Sequence, residues 1–160
     1  MIQRTLVLVK PDGVQRCLSG RIISRFEDVG LKIIGMKMIW VDKEFAKKHY
    51  FEHVEKDFFR GLETVLTMGP VIAMVLEGVE SIAKVRQMVG STEPKSAAPG
   101  TIRGDFAHVS YGYADENGLG IKNLIHASDS EESSKKEIEL WFDEKEIHTY
   151  KNVHDVHIYN

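Results

Sequence analysis

His126 stands in the stretch Asn123-Leu124-Ile125-His126-Ala127-Ser128-Asp129-Ser130, where a short apolar run gives way to small polar residues. Such a junction reads as the end of a buried strand followed by a helix N-terminus. Ser128, Asp129 and Ser130 are all N-cap types, and Ser128 with Glu131 has the capping-box spacing. A strand end beside a helix start holds a side chain rigidly next to free backbone N–H groups, which favour anions and phosphate above all. A neutral imidazole there can take a phosphoryl group and hand it on, which is nucleophilic covalent catalysis. The ordinary imidazole pKa of roughly 6.5 leaves most of such a ring neutral at neutral pH. Taken alone, the stretch weighs equally for a packed histidine with no chemistry.

Phosphate handling needs cations and directed donors, and Lys10, Arg86, Thr92 and Arg103 are the candidates. A guanidinium bonds phosphate oxygens bidentately, so the two arginines are the better clamps. Singly, each of these residues reads as a solvated surface group, and spacing does not bring them together. Other signals fail. Gly118-Leu119-Gly120-Ile121-Lys122 is glycine-rich but does not match G-x-x-x-x-G-K-S/T. His49 and His53 share a helical face, yet no Glu follows His49 directly, so the H-E-x-x-H zinc pattern is unmet and both read as packed or solvated. His154 and His157 in the tail read the same way.

The 160 residues suit a single domain with a proper core. Charged residues at 28% and hydrophobic residues at 42% are those of an ordinary soluble protein. A net charge of −3 argues against general nucleic-acid binding. The lone Cys17 excludes an internal disulfide or a thiolate metal cage and suits a reducing compartment. The apolar run Thr5–Val9 is too short for a signal peptide, and no segment has the length of a membrane span. The expectation is a cytoplasmic protein without membrane contact.

These residues need elements to position them. Residues 5–9 predict a central strand buried on both faces, ended by Lys10-Pro11-Asp12-Gly13 as a turn. A helix capped by Ser19 buries Ile22, Ile23, Phe26 and Val29, with Gly30 beyond its end. Residues 31–41 predict a long strand with Ile34, Met36, Met38 and Trp40 on one face. Asp42 caps a short helix toward Tyr50, and a second runs from Phe59 to Met68. A strand at Val71–Leu76 precedes a helix at Ser81–Val89. From Ser91 to about Lys122 only turns are evident, except a small hairpin around Asn117-Gly118. A strand at 122–126 and a helix at 131–142 follow, and then a tail that packs on the surface or on a partner chain. The order implies an α+β class: the ferredoxin-like split βαβ plan, with helices on one face of an antiparallel sheet and a long active-site loop.

The motifs taken together resemble the nucleoside diphosphate kinase family over nearly the whole chain. They are Lys10-Pro11-Asp12-Gly13, His49-Tyr50, Phe58-Phe59, Arg86 with Gly90 and Thr92-Glu93-Pro94, Pro99 through Phe106, and Asn123 through Ser130 with Glu137. The resemblance implies ping-pong transfer of a γ-phosphate from a nucleoside triphosphate through a phosphohistidine at His126 to a nucleoside diphosphate. It implies that Arg86, Thr92 and Arg103 hold phosphates, and that Lys10 and Asn123 serve the ribose and phosphate side. Tyr50 lines the pocket, Glu137 orients the imidazole with Ser128 beside it, and Phe58 and Leu62 clamp the base with little discrimination. Mg2+ rides on the nucleotide phosphates rather than in a carboxylate cage. A homo-oligomer follows, a hexamer in preference to a tetramer.

One stretch departs from the family pattern: the segment between Phe106 and Asn123 is longer, and the family's apolar base contact has no evident counterpart in it. The competing readings are a non-enzymatic protein on the same fold and a histidine phosphocarrier serving protein acceptors. The base-clamp residues favour nucleotides.

Overall fold

The computed structural model describes residues 1–159. The first strand, β1 (Ile2–Val9), sends Leu6 and Leu8 into one core and Val7 and Val9 into another, all four fully buried. This two-faced burial is why the run is continuously apolar rather than alternating. Helix α1 (Pro11–Gln15) follows directly, a short turn of helix with proline at its start where no N–H is needed. The sequence predicted only a turn there.

Helix α2 (Ser19–Asp28) buries Ile22 and Phe26, but its cap is Leu18 and Ser19 is already helical. Strand β2 (Lys32–Ile39) carries a bulge between Ile33 and Gly35. The extra residue flips the pattern: Ile34 is 1% exposed, whereas Met36, Met38 and Trp40 are 55%, 60% and 67% exposed. The single apolar face expected for 31–41 is therefore broken. Helix α3 (Lys43–His49) is capped by Asp42, which accepts from the Phe45 N–H at 2.8 Å, and α4 (Phe59–Thr67) follows. Strand β3 (Val71–Val79) runs three residues beyond the predicted Leu76, because it pairs with β1 back to Ile2.

Helix α5 (Ser81–Val89) matches its predicted span. The segment after it is more regular than expected. It holds a 3-10 turn at Pro94–Ser96, helix α6 (Ile102–Phe106) capped by Thr101, and helix α7 (Tyr111–Glu116) capped by Ser110. Asn117-Gly118 is a helix stop, not a hairpin. Gly118 has φ +62°, the Leu119 N–H reaches the Ala114 carbonyl at 2.8 Å, and the Gly118 N–H reaches that of Asp115 at 3.1 Å.

Strand β4 is short, Ile125–Ala127, because Leu124 at φ +70° cannot continue a strand. Helix α8 (Glu131–Trp141) is capped by Ser130, whose Oγ accepts from the Ser133 N–H at 3.1 Å; Ser128 is not the cap. Helix α9 (Asp155–Ile158) folds the tail back onto the molecule, where Lys32 Nζ meets Asp155 at 3.0 Å.

The four strands lie in the order β2-β3-β1-β4, all antiparallel, which is the ferredoxin-like arrangement. Helices cover both faces rather than the one expected. Ile22 and Phe26 of α2 with Val85 and Val89 of α5 form the first core. Ala46 of α3, Leu66 of α4 and Trp141 of α8 form the second. Each fully buried aliphatic or aromatic side chain there contributes roughly 1.5–3 kcal/mol by leaving water. Among the described residues no helix is long and apolar enough to cross a membrane.

Candidate active site

The register of β1 against β4 sets the geometry. His126 pairs with Leu8, so its ring points to the face covered by α3 and α8. Its Nε2 lies 2.9 Å from Oε1 of Glu137 on α8. A carboxylate only accepts, so Nε2 carries the proton and Nδ1 is left with its lone pair. Ser128 is fully buried behind this pair, donating its hydroxyl to the other oxygen of Glu137 and accepting from the Leu6 N–H at 3.3 Å. The carboxylate is thus gripped from both sides, and it fixes the tautomer of the imidazole.

Lys10 leaves the end of β1 with its backbone N–H bonded to the Leu124 carbonyl at 2.8 Å. Its Nζ donates to Asn123 Oδ1 at 2.8 Å, and Asn123 Nδ2 donates to the Thr92 carbonyl at 2.9 Å. Lys10 is 3% exposed; burial pulls its pKa down to about 8, with Asp12 opposing the shift and Arg103 adding to it. Asp12, also buried, accepts the Leu124 N–H at 2.9 Å and holds the left-handed residue that ends the approach to β4.

Arg103 spends three N–H donors on the carbonyls of Asn123, Gly90 and Ile125, at 3.1, 3.0 and 2.6 Å. Burial and then the neighbouring Arg86 bring its pKa down to about 10. Two donors remain beyond those three. Arg86 comes from the last turn of α5 and makes only a long contact, 3.5 Å, to the Ala127 carbonyl. One guanidinium is locked into the framework and the other stands free for an anion.

A cleft of about 1210 Å³ gathers these groups. Lys10, Tyr50, Phe58, Leu62, Arg86, Thr92, Arg103, Asn123, His126 and Glu137 all line it, and Ser128 lies behind. Every residue to which the family resemblance gave a site role is therefore in or directly behind one cavity. Phe58, 55% exposed, and Leu62 of α4 form an apolar shelf at one end. The Tyr50 phenol is pushed up by burial, then by Glu137 and Asp12, and stays protonated.

The sequence leaves His49 as packed or solvated, and in the structure it is packed, against the ring of His126. Its ring meets that of His126 edge-on with centroids 4.7 Å apart, and its Nδ1 accepts from Trp141 Nε1 at 3.2 Å. Burial first, then the His126 ring, holds its pKa well below 6.5. The motif His49-Tyr50 is the sequence signal for it; Asp12 is signalled by Lys10-Pro11-Asp12-Gly13, and residues 111–121 by the extra length between Phe106 and Asn123.

The only group of three metal-ligating side chains among the described residues is His49, His126 and Glu137. Two imidazoles and one carboxylate do not suit a hard cation such as Mg2+, which takes oxygen ligands. This cluster is therefore not suited to hold Mg2+.

Comparison with known proteins gives a consistent result. The family profile described as nucleoside diphosphate kinase matches residues 3–147. A nucleoside diphosphate kinase of Pyrococcus furiosus is 54% identical over 149 residues, 93% of this chain and 88% of that one. The Borrelia burgdorferi nucleoside-diphosphate kinase, solved as a transition state mimic with bound vanadate and ADP, superposes with a TM-score of 0.95 at 47% identity, covering 99% of this chain and 97% of that one. A halophilic nucleoside diphosphate kinase from Halobacterium salinarum in complex with CDP gives 0.90 at 44% identity, with both chains fully covered.

Proposed function

The chain belongs to the nucleoside diphosphate kinase family of phosphotransferases, and from that premise we propose that it moves a γ-phosphate between nucleotides by a ping-pong route through His126. The observation that carries this reading is the Ser128–Glu137–His126 chain of hydrogen bonds, which leaves Nδ1 with its lone pair on a ring that lines the same cleft as Arg86, Arg103 and Lys10.

In the first half-reaction Nδ1 forms a bond to the γ-phosphorus of a nucleoside triphosphate as the bond to the bridging oxygen breaks. The nucleoside diphosphate leaves with that electron pair. The ring becomes cationic on phosphorylation, and Glu137 stabilises it through the Nε2 proton. In the second half-reaction a terminal phosphate oxygen of the acceptor diphosphate attacks the same phosphorus and the nitrogen is released. Transfer of this kind gains mainly from positioning and charge stabilisation. Arg86, Arg103 and Thr92 serve the phosphates, and Lys10 with Asn123 serves the ribose and phosphate side. Mg2+ bound to the nucleotide supplies further neutralisation of the phosphate charge.

Phe58 and Leu62 offer a π-face and apolar contact, which every base accepts, so comparable turnover of guanine and cytosine diphosphates is expected. Residues 1–160 act as one kinase unit in this reading. The exposed Met36 and Met38 of the edge strand β2, with Trp40 just beyond its end, support a homo-oligomer, a hexamer in preference to a tetramer, which a native mass measurement tests. A single exposed Cys17 supports a cytoplasmic setting.

The deciding experiment is incubation with γ-labelled ATP followed by a chase with unlabelled GDP. The expected result is an acid-labile label on the protein that moves to GTP, and no label on a His126→Ala variant. A label that stays on the wild-type protein, or moves only to other proteins, points to the phosphocarrier instead.

A further inference from the structure

Residues 111–121, which the sequence marks out by length, are built into the cleft rather than hung outside it. Their two ends are pinned. At one end the Tyr111 N–H donates to Glu93 Oε1 at 2.9 Å, and the Lys95 N–H donates to the Val109 carbonyl at 3.1 Å. At the other end Gly120 lies directly on Gly61 of α4. A Cβ added to Gly120 would stand 2.2 Å from the Gly61 carbonyl oxygen, so only bare backbone fits this crossing. Between the pins, α7 is closed by its Ser110 cap and its Gly118 stop. The segment therefore spans from the helix that follows Phe58 to the loop that carries Thr92, and Tyr111, Asp115 and Leu119 face the cavity.

Tyr111 is the residue of this wall within electrostatic reach of Arg103. Its backbone is tied to the residue after Thr92, and its phenol feels the field of the Arg103 guanidinium. Burial pushes the phenol upward, so it keeps its proton at neutral pH. The hydroxyl makes no hydrogen bond among the described residues, and the residue is 43% exposed and lines a cavity shared with Lys10, Arg86 and Arg103. A neutral O–H donor left free among cations matches an anionic oxygen that already has its charge balanced.

We propose that residues 111–121 form the outer wall of the nucleotide cleft, and that Tyr111 is a nucleotide-binding residue whose hydroxyl donates to a phosphate oxygen beside Arg103. The inference rests on the reading of this cleft as a nucleotide site. Because the contact is to phosphate, it is indifferent to the base.

The test is equilibrium binding of ADP and of adenosine to the full-length wild type and to Tyr111→Phe, which keeps the ring and removes only the donor. The expected result is an ADP dissociation constant raised about tenfold, the low end for a hydrogen bond to a charged group, with adenosine binding unchanged. Unchanged ADP binding overturns the proposal, and so does an equal loss for ADP and adenosine, since that would place the effect on the nucleoside or the fold. The label transfer described above is run on the same preparations. If the wild type passes label to GDP while Tyr111→Phe binds ADP normally, this inference alone fails; a wild type that takes no label removes the premise instead.

Discussion

His126 and Glu137 are joined across 2.9 Å between Nε2 and Oε1, and this one contact decides which ring nitrogen faces the cleft with a lone pair. It also ties the middle of β4 to the second turn of α8, so the orientation of the imidazole depends on the docking of a helix. Ser128 completes the arrangement by occupying the second carboxylate oxygen from the strand side.

Glu137→Gln removes the charge that stabilises a cationic ring while preserving the shape of the side chain. The rate of label uptake from ATP is expected to fall on the order of 100-fold, a size ordinary for the loss of one directed electrostatic partner. Nucleotide affinity is expected to hold, because Glu137 does not contact the phosphates in this reading. Rapid-quench measurement of the half-reaction checks both; an unchanged rate would remove Glu137 from the mechanism.

Lys10 links the site to stability. With its pKa lowered from 10.5 to about 8, the folded protein binds fewer protons than the unfolded chain between those values. Stability therefore rises with pH across that window, because the penalty for burying the ammonium is fully present below about pH 8 and is relieved above it. The penalty is ~3 kcal/mol, taking about 1.4 kcal/mol per pKa unit. Denaturant unfolding of the wild type between pH 8 and 10 is expected to show this rise, and Lys10→Met to lack it. Nucleotide affinity moves the other way, weakening as the ammonium discharges.

For His49 the window lies on the acid side. Burial beside His126 holds its pKa well below 6.5, so as pH falls through 6.5 the unfolded chain takes a proton that the folded state refuses. Stability is lost by about 1.4 kcal/mol per pH unit in that range from this group alone. His49→Gln can still accept from Trp141 and does not titrate, so its acid unfolding midpoint is expected at lower pH. A midpoint that does not move counts against this account.

Gly120→Ala drives a methyl group into the Gly61 carbonyl, and α4 or the 111–121 wall must give. Overpacking of this kind costs about 1–3 kcal/mol. The expected outcome is a lower urea midpoint together with weaker nucleotide binding, since both walls of the cleft move. Gly112→Ala, whose added Cβ meets nothing within 4 Å, is the control and is expected to change neither.

Local sequence pattern and tertiary structure part company at identifiable places. The bulge in β2 turned Met36, Met38 and Trp40 outward, because one extra residue inverts a period-two pattern and leaves no trace in composition. Asn117-Gly118 suits a hairpin turn and a helix stop equally well; the cap at Ser110 and the bond from Leu119 to Ala114 are what choose the stop. Ser128 had the right spacing to cap α8, but a hydrogen bond to Glu137 nine residues away claimed its hydroxyl instead.

By itself the amino-acid order determined the buried run of β1, the helices with apolar stripes, and the residue types from Lys10 to Glu137 that carry the family resemblance, because these are local properties of side chains and spacing. Only the tertiary structure decided that Lys10, Arg86, Arg103 and His126, up to 116 positions apart in the chain (126 less 10), share one cavity. It alone placed His49 against the imidazole and made the 111–121 segment a wall. Those outcomes depend on strand register and helix docking. Both are set by burial summed over the whole sheet, which no short stretch of sequence encodes.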